Sequence, residues 1–237
     1  MLTSTLTKGS EPLRVRNRKY IKYILYICGM PINPKYKAKY SFGNFYHVFN
    51  RASGKQLMFK EEQNYYYFLN RFHYHLGDYL ILHAWSLIPN HFHFLIQVKE
   101  EKEIPVLDKK IDINKLITNK FKNFFISYSM AFKNMFQQKS NVFSQKYKHV
   151  QLHTDEDIKR VILYIHSNPK HHHVGDWKTY KWSSYQEALY RNLSVGKSSF
   201  VLDLFGGKQD YLGIHETFLG EGSEPLKGSE PSPSTST

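Results

Sequence analysis

Two patterns of hydrophobic and polar positions run through the middle of the chain. Alternation at every second residue predicts strands, and apolar residues three or four apart predict helices. These patterns predict strands over residues 45–51, 79–88 and 91–98 and helices over 61–76, 113–136 and 155–167. The turn residues Pro89-Asn90 join the last two strands into a hairpin. The order β-α-β-β-α, followed by one more helix, predicts a ferredoxin-like α+β sandwich, an antiparallel sheet with helices on one face.

The two ends of the chain differ in composition from the middle. The tetrapeptide Gly-Ser-Glu-Pro begins at Gly9 and recurs at Gly222 and Gly228, and the last residues are Pro, Ser and Thr. Such segments bury too little apolar surface to offset the entropy lost on ordering. We therefore predict a partly disordered extension over 1–37, a main domain over 38–190, a helical extension over 191–219 and a disordered tail over 220–237.

The charge points to a polyanionic partner. The chain has 33 Lys and Arg residues against 20 Asp and Glu, a formal net charge of +13. Nucleic acid is the commonest polyanion, and the 18 Tyr and 17 Phe residues suit single strands, whose exposed bases stack on aromatic rings. The alternative is a soluble basic protein without a nucleic-acid role.

Cysteine content and hydropathy indicate a cytoplasmic protein. Cys28 is the single cysteine, which excludes an internal disulfide framework and a cysteine-rich zinc module. No apolar stretch is long enough to span a bilayer. The basic residues before the apolar run 20–27 faintly resemble a signal peptide, but Lys22 interrupts that run.

The segment 91–98 carries the first candidate chemistry. Side chains on a strand alternate between faces, so His91 and His93 point to one side while Phe92 and Phe94 point to the other. Two neighbouring imidazoles can hold a divalent metal if a third ligand comes from elsewhere. The alternative is a pair of ordinary surface histidines. The run 171–173 is a rival histidine cluster, which we assign to a solvated or DNA-facing loop.

The predicted helix 155–167 carries the second candidate. Thr154 is a suitable N-cap, and Asn168-Pro169 predicts the end of the helix because the residue before proline disfavours the α conformation. Tyr164 lies at the border of the apolar stripe, and Asn168 lies four residues later on the same side. On residue pattern alone Tyr164 has rivals as a nucleophile in Tyr128 and Tyr147, and all three could be structural aromatics.

These segments together resemble the single-tyrosine HUH transposases, specifically the REP-associated tyrosine transposases. HUH denotes two histidines around a bulky hydrophobic residue, here His91-Phe92-His93. The resemblance extends over about residues 38–215 and rests on five segments in the same order: 46–51, 88–96, 142–147, 164–169 and 182–185.

The resemblance implies a role for each site residue. Tyr164, in the pattern Tyr-x-x-x-Asn-Pro, is the implied nucleophile, in preference to Tyr128 and Tyr147. Asn168 is implied to join His91 and His93 around Mg²⁺ or Mn²⁺. The implied activity is a metal-dependent transposase, with 38–190 as its catalytic domain, that cleaves and rejoins single-stranded, hairpin-associated DNA through a covalent 5′-phosphotyrosine.

The chain departs from the family pattern at three places. Asn141 replaces a glycine of the family. The family usually has an arginine near the position of Lys146, and the stretch 99–110 is long and highly charged. These positions lie outside the implied chemistry, but they prevent any transfer of the family's DNA sequence preference.

Several basic residues are candidates for binding DNA. Arg51, Lys146 and Lys148 lie in or beside the family-like segments, and Lys120 represents the cations of the predicted long helix. The alternative for Lys120 is a solvated helix surface. The expected partner is single-stranded or hairpin DNA in the cytoplasm, with the nucleoid as its location, and the choice between monomer and homodimer stays open.

Two other functions agree with the same residues. One is a replication-initiator or relaxase-like HUH nicking enzyme, although relaxases usually have a third histidine and a much longer chain. The other is a non-catalytic module that binds hairpin DNA without forming a covalent adduct. A Gly-rich phosphate loop is absent from the sequence, in agreement with a transfer to tyrosine that needs no ATP.

Overall fold

The computed structural model describes residues 38–104, 112–144, 146–190 and 200–220. The predicted extension 1–37 and the tail after residue 220 lie outside these residues. The strands are β1 (Phe45–Arg51), β2 (Leu80–Ile88), β3 (His91–Val98) and β4 (Lys148–Leu152). The helices are α1 (Glu62–Leu76), α2 (Ile113–Phe136), α3 (Asp155–His171), α4 (Tyr185–Tyr190), α5 (Phe200–Phe205) and α6 (Lys208–Leu219), and a 3₁₀ turn lies at Glu101–Glu103. Among the described helices, none is long and apolar enough to cross a membrane.

The strands form one antiparallel sheet in the order β2-β3-β1-β4. α1 connects β1 to β2, and α2 connects β3 to β4. The first five elements follow the predicted order β-α-β-β-α, and β4 completes the β-α-β-β-α-β order of a ferredoxin-like sandwich. The sequence pattern does not predict β4. All five of its residues are half-buried, and a polar or charged residue occupies three of the five positions, so its sequence lacks a clear alternation. Pairing with β1 makes this segment a strand.

The first hydrophobic core lies between the sheet and the helix pair α1 and α2. Phe92 and Phe94 of β3 meet Phe68 of α1, which in turn packs on Phe124 of α2 with ring centroids 4.8 Å apart. Burying one such side chain contributes about 1.5–3 kcal/mol to stability. α2 has the predicted bounds 113–136, and the Asp112 side chain caps it by accepting a hydrogen bond from the backbone N–H of Lys115.

The second core corrects the prediction that the helices lie on one face. α3 packs on the opposite face of the sheet, where Ile162 and Ile165 meet Ala84 of β2 and Leu95 of β3. The physical reason is that β3 is buried at nearly every position along both of its faces, so each face needs a cover. The sheet is therefore enclosed by α1 and α2 on one side and by α3 on the other.

The two ends of α3 compare differently with the predictions. The cap is confirmed, since Thr154 Oγ1 accepts a hydrogen bond of 3.1 Å from the backbone N–H of Asp157. The predicted end at Asn168-Pro169 is wrong, because α3 continues to His171 with Pro169 in its last turn, where few helical hydrogen bonds remain to be lost. Beyond the helix, His173 has a φ of 53°, a left-handed conformation that usually falls to glycine.

The C-terminal helices cover the outer side of α3. His166 of α3 lies opposite His215 of α6, with Nδ1 and Nε2 2.9 Å apart, and both side chains are fully buried. Lys170 donates from Nζ to the backbone carbonyl of Gly220 over 3.1 Å. α5 and α6 fall within the predicted helical extension 191–219, of which residues 191–199 lie outside the described part.

Candidate functional site

The two histidines of β3 lie on the face of the sheet that α3 covers. His91 pairs with Arg51 and His93 pairs with Phe49 in the register of β1 and β3, whereas Phe92 belongs to the core on the opposite face. The prediction that His91 and His93 share a face is confirmed. The hairpin turn before β3 places His91 at the end of the sheet and His93 further in, half-buried and buried respectively.

α3 brings Tyr164 and Asn168 to these histidines. Asn168 Oδ1 lies 3.1 Å from Nε2 of His91, across 77 residues of sequence. The ring of Tyr164 packs edge-on against the ring of His93, with centroids 5.1 Å apart. The Asn168 amide also donates from Nδ2 to the backbone carbonyl of Tyr164 over 2.9 Å, which fixes the orientation of the amide. The four residues implied by the resemblance therefore lie together.

The site is closely packed. Tyr164 is 6% exposed, Asn168 is 1% exposed and His93 is 3% exposed. Tyr164 lies at the border of the apolar stripe of α3, and its ring packs edge-on against the rings of His93 and His47. The half-buried His91 is the most accessible of the four site residues.

Burial keeps the site histidines neutral. The pKa of His91 is lowered to about 3, first by burial and then by the neighbouring His172, while the hydrogen bond with Asn168 opposes the shift. The pKa of His93 lies well below its usual value, first because of burial and then because of His47. A neutral imidazole retains a lone pair, which a metal ion requires of its ligand.

Sequence reasoning missed His47, which lies in the middle of β1. Its Nε2 is 3.0 Å from Nδ1 of His93, and burial lowers its pKa to about 3. The alternation of β1 contained the signal, because His47, Phe49 and Arg51 fall on one face. Only the pairing of β1 with β3 shows that this face is the one that carries His93.

The structure corrects part of the prediction for the histidines 171–173. His172 and His173 are exposed, as predicted, but α3 includes His171 and its C-cap residue is His172. The His172 ring lies edge-on to the ring of His91, with centroids 4.3 Å apart. Tyr164, Asn168 and His172 follow one another at helical intervals of four, which explains how His172 reaches the site although it is exposed.

The donor set fits a divalent metal. A neutral imidazole has one N–H, yet Nε2 of His91 faces Asn168 Oδ1 and Nδ1 faces Asn90 Oδ1 at 2.8 Å. If Nδ1–H donates to Asn90, two lone pairs face each other at the Nε2 side, an arrangement that a cation stabilises. Neighbouring ligands of an octahedral ion are themselves about 3 Å apart. Within the described ranges, no three His, Cys, Asp or Glu side chains group around a metal position, so a metal held by His91 and His93 would take its third protein donor from another residue type, such as the amide of Asn168.

The candidate DNA-binding cations are divided between the two faces of the sheet. Arg51 is exposed and directly opposite His91, and Lys148 of β4 pairs with Phe49 on the same face. Lys146 is exposed just before β4. Lys120 lies with its Nζ over the ring of Tyr79, on the α2 side and at the far end of the sheet. The structure therefore brings Arg51 and Lys148 to the histidine face and Lys120 away from it.

The rival tyrosines lie away from the histidines. Tyr128 is buried in the first core, donates to the backbone carbonyl of Met58, and has a pKa raised by burial. Tyr147 packs on Phe121 and Phe125 of α2, and burial raises its pKa as well. Of the three candidates, Tyr164 is therefore the one beside His91 and His93.

One comparison with known proteins supports the fold. No protein family model and no curated protein matches the chain. A solved structure described as a REP-associated tyrosine transposase bound to a REP hairpin is similar, with a TM-score of 0.51 and 16% sequence identity. The likeness covers 76% of this chain and 98% of that one. At this identity the comparison shows a shared fold.

Proposed function

We propose that this protein is an HUH transposase of the REP-associated tyrosine type, which cleaves and rejoins single-stranded, hairpin-associated DNA. The observation that carries the proposal is the meeting of His91, His93, Asn168 and Tyr164 on one face of a ferredoxin-like sheet. These residues come from two elements that are distant in sequence. The fold shared with a hairpin-bound transposase supports the same class of protein.

Tyr164 is the nucleophile of the proposed reaction. Its phenolic oxygen attacks the scissile phosphorus in line, a P–O bond to tyrosine forms, and the P–O3′ bond breaks. The phenolic proton passes to a base or to solvent, and the 3′ oxygen leaves as a hydroxyl. A 5′-phosphotyrosine results. Attack by a free 3′-hydroxyl reverses these changes and rejoins the strand, so the number of phosphodiester bonds is kept without ATP.

His91, His93 and Asn168 would hold Mg²⁺ or Mn²⁺, which when bound neutralises charge on the phosphate oxygens. Two imidazole nitrogens and one amide oxygen favour Mn²⁺ over Mg²⁺, which prefers oxygen ligands. The residues' own contribution is orientation. Asn168 is fixed by its hydrogen bond to the backbone of Tyr164, so the metal ligand and the nucleophile move as one unit of α3.

The DNA backbone would pass the end of the sheet where Arg51 and His91 face each other. Arg51 is exposed there, and an exposed guanidinium can contact a phosphate through two N–H groups. Lys148 on the same face and Lys146 nearby would extend this basic surface. The surplus of cations in the chain as a whole would draw DNA towards the site.

The test is covalent adduct formation on a labelled hairpin oligonucleotide with a single-stranded flank, in Mg²⁺ or Mn²⁺. The wild-type chain should give a DNA adduct that resists denaturation, and Tyr164→Phe should give none. The phenyl ring retains the packing against His93, so folding should persist. Tyr190→Phe, at an exposed tyrosine, is the matched control and should form the adduct normally. An adduct with Tyr164→Phe at the wild-type level would overturn the assignment.

The burial of Tyr164 and Asn168 favours one alternative, a module that binds hairpin DNA without cleaving it. The same assay separates the two functions. Binding of the hairpin with no adduct from the wild-type chain in either metal would replace the transposase by the binding module.

A further inference from the structure

His47 is the hydrogen-bonding neighbour of His93. Its Nε2 lies 3.0 Å from Nδ1 of His93, and both side chains are buried. His47 pairs with Leu95 in the sheet, so it reaches His93 along the diagonal between β1 and β3. Phe49 lies against both imidazoles, with ring centroids 4.9 Å from His47 and 5.6 Å from His93. The two rings are thereby held in one relative orientation.

One proton is shared between the two facing nitrogens, and its location decides what His93 can bind. If Nδ1–H of His93 donates to Nε2 of His47, Nε2 of His93 retains its lone pair and can bind a metal. If Nε2–H of His47 donates instead, Nε2 of His93 carries a proton and cannot. Among the hydrogen bonds within the described part of the chain, the side chain of His93 uses Nδ1 and not Nε2.

His91 has the same pattern at the other end of the site. Its Nδ1 faces Asn90 Oδ1 at 2.8 Å, and its Nε2 faces Asn168 at 3.1 Å. His91 and His93 therefore each have a hydrogen-bonding neighbour at Nδ1, and in each the Nε2 atom is the one that the proposed metal site would use. For His91 that neighbour is an exposed asparagine, but for His93 it is a second buried imidazole.

We propose that His47 is a positioning residue, which accepts the Nδ1–H hydrogen bond of His93 and so selects the tautomer that presents Nε2 to a metal ion. The proposal rests on the metal site of the proposed function. A hydrogen-bond partner behind a metal-binding histidine typically contributes 10–100-fold to metal affinity or activity, about the loss expected when it is removed. His47 itself touches neither metal nor DNA in this role.

The metal-free protein gives the first test. Two-bond ¹H–¹⁵N correlation spectra distinguish the tautomers of neutral histidines, and the signals of His93 can be identified by their loss in His93→Gln. The expected result in the wild-type chain is the Nδ1–H tautomer at His93. A signal for the Nε2–H tautomer would overturn the proposal without any variant at position 47.

Metal affinity gives the second test, with Mn²⁺ titrated into the protein and free Mn²⁺ measured by electron paramagnetic resonance. His47→Phe should weaken binding by about 10–100-fold. His47→Gln should restore most of the affinity, because its amide oxygen can accept the hydrogen bond at the place of Nε2. Equal affinity of His47→Phe and wild type would contradict the proposal. Thermal denaturation of each variant shows that a folded protein is compared.

Two controls separate this proposal from the function on which it rests. His153→Phe, at an exposed histidine outside the site, should leave Mn²⁺ affinity unchanged. His91→Ala should abolish most of the binding. If His91→Ala binds Mn²⁺ normally, the metal site of the proposed function fails. If His91→Ala loses the metal and His47→Phe retains it, the metal site survives and the role of His47 is wrong.

Discussion

Two hydrogen-bonded histidine pairs are buried on the α3 side of the sheet, and they differ in the hydrogen bonds that their remaining ring nitrogens make. His47 and His93 lie beside the candidate metal site, and His166 and His215 lie between α3 and α6. The facing nitrogens are 3.0 Å apart in the first pair and 2.9 Å apart in the second, and the ring centroids are 5.1 Å apart in both. Similar geometry therefore occurs in two different settings.

In the α6 pair, His166 and His215, hydrogen bonds to protein groups determine which ring nitrogen of each histidine carries the proton. Nδ1–H of His215 donates to the carbonyl of Tyr211, so its Nε2 must accept from Nδ1–H of His166. Nε2 of His166 then accepts from the hydroxyl of Ser184, whose oxygen accepts from the backbone N–H of Trp85. In the pair of His47 and His93, the series of hydrogen bonds ends at the His93 ring, whose Nε2 makes none with the described residues. Complete hydrogen bonding is what a purely structural pair requires, whereas the proposed metal site would use Nε2 of His93.

The largest expected effect concerns the site. His91→Ala should slow adduct formation by at least about 100-fold, since loss of a ligand costs more than loss of its neighbour. Its stability should change little, because His91 is only half-buried and no core cluster contains it. Adduct rates and thermal midpoints of the same preparations check both statements. Near-normal cleavage would remove His91 from the metal site.

The α6 pair should show the opposite outcome. His166→Leu leaves the Ser184 hydroxyl and Nε2 of His215 buried without their partner, which should cost about 2–4 kcal/mol of unfolding free energy. Urea unfolding measures this loss. Mn²⁺ affinity should remain close to wild type, because His166 does not contact the site residues. A stable variant with impaired metal binding would reverse the comparison between the two pairs.

A third prediction uses pH. Burial lowers the pKa of His215 to about 4 in the folded protein, against about 6.5 when unfolded. The contribution of His215 to the unfolding free energy is therefore complete above about pH 6.5. It decreases as the pH falls towards 4, by about 3 kcal/mol in total. His166, whose pKa burial also lowers well below its usual value, acts in the same direction.

His215→Phe tests this linkage. Between about pH 4 and 6.5 the pH slope of its unfolding free energy should be smaller than that of wild type by up to about one proton. Urea unfolding at several pH values gives both slopes, and His153→Phe, at an exposed histidine, serves as the reference. Identical slopes in wild type and His215→Phe would mean that His215 does not titrate abnormally.

The smallest expected effect concerns the end of α3. His173→Gly should raise the unfolding free energy by about 1 kcal/mol, because glycine adopts the left-handed conformation of His173 without steric cost. His171→Gly, inside the last turn of α3, should instead destabilise by about 0.5–1 kcal/mol. Mn²⁺ affinity should be unchanged in His173→Gly. A loss of stability in that variant would indicate a side-chain contribution larger than the backbone strain.

Much of the fold was predictable because its signals are local. The spacing of apolar residues predicts the bounds of α2, and Thr154 marks the start of α3. The strand β4 was not predictable in this way, because its mixed residues form a strand only through pairing with β1. The end of α3 was mispredicted, because Pro169 in the last turn removes too little hydrogen bonding to stop the helix.

The features of the candidate site likewise fall into those set by local sequence and those set by tertiary packing. By itself the sequence determined that His91 and His93 share a face and that Asn168 follows Tyr164 by one helical turn, since both facts come from the period of a single element. The tertiary structure alone decided that α3 covers the histidine face, that His172 reaches His91, and that His47 and His93 form one hydrogen-bonded pair and His166 and His215 another. Contacts between residues 46 to 81 positions apart depend on how the layers pack, because no local period fixes which faces meet.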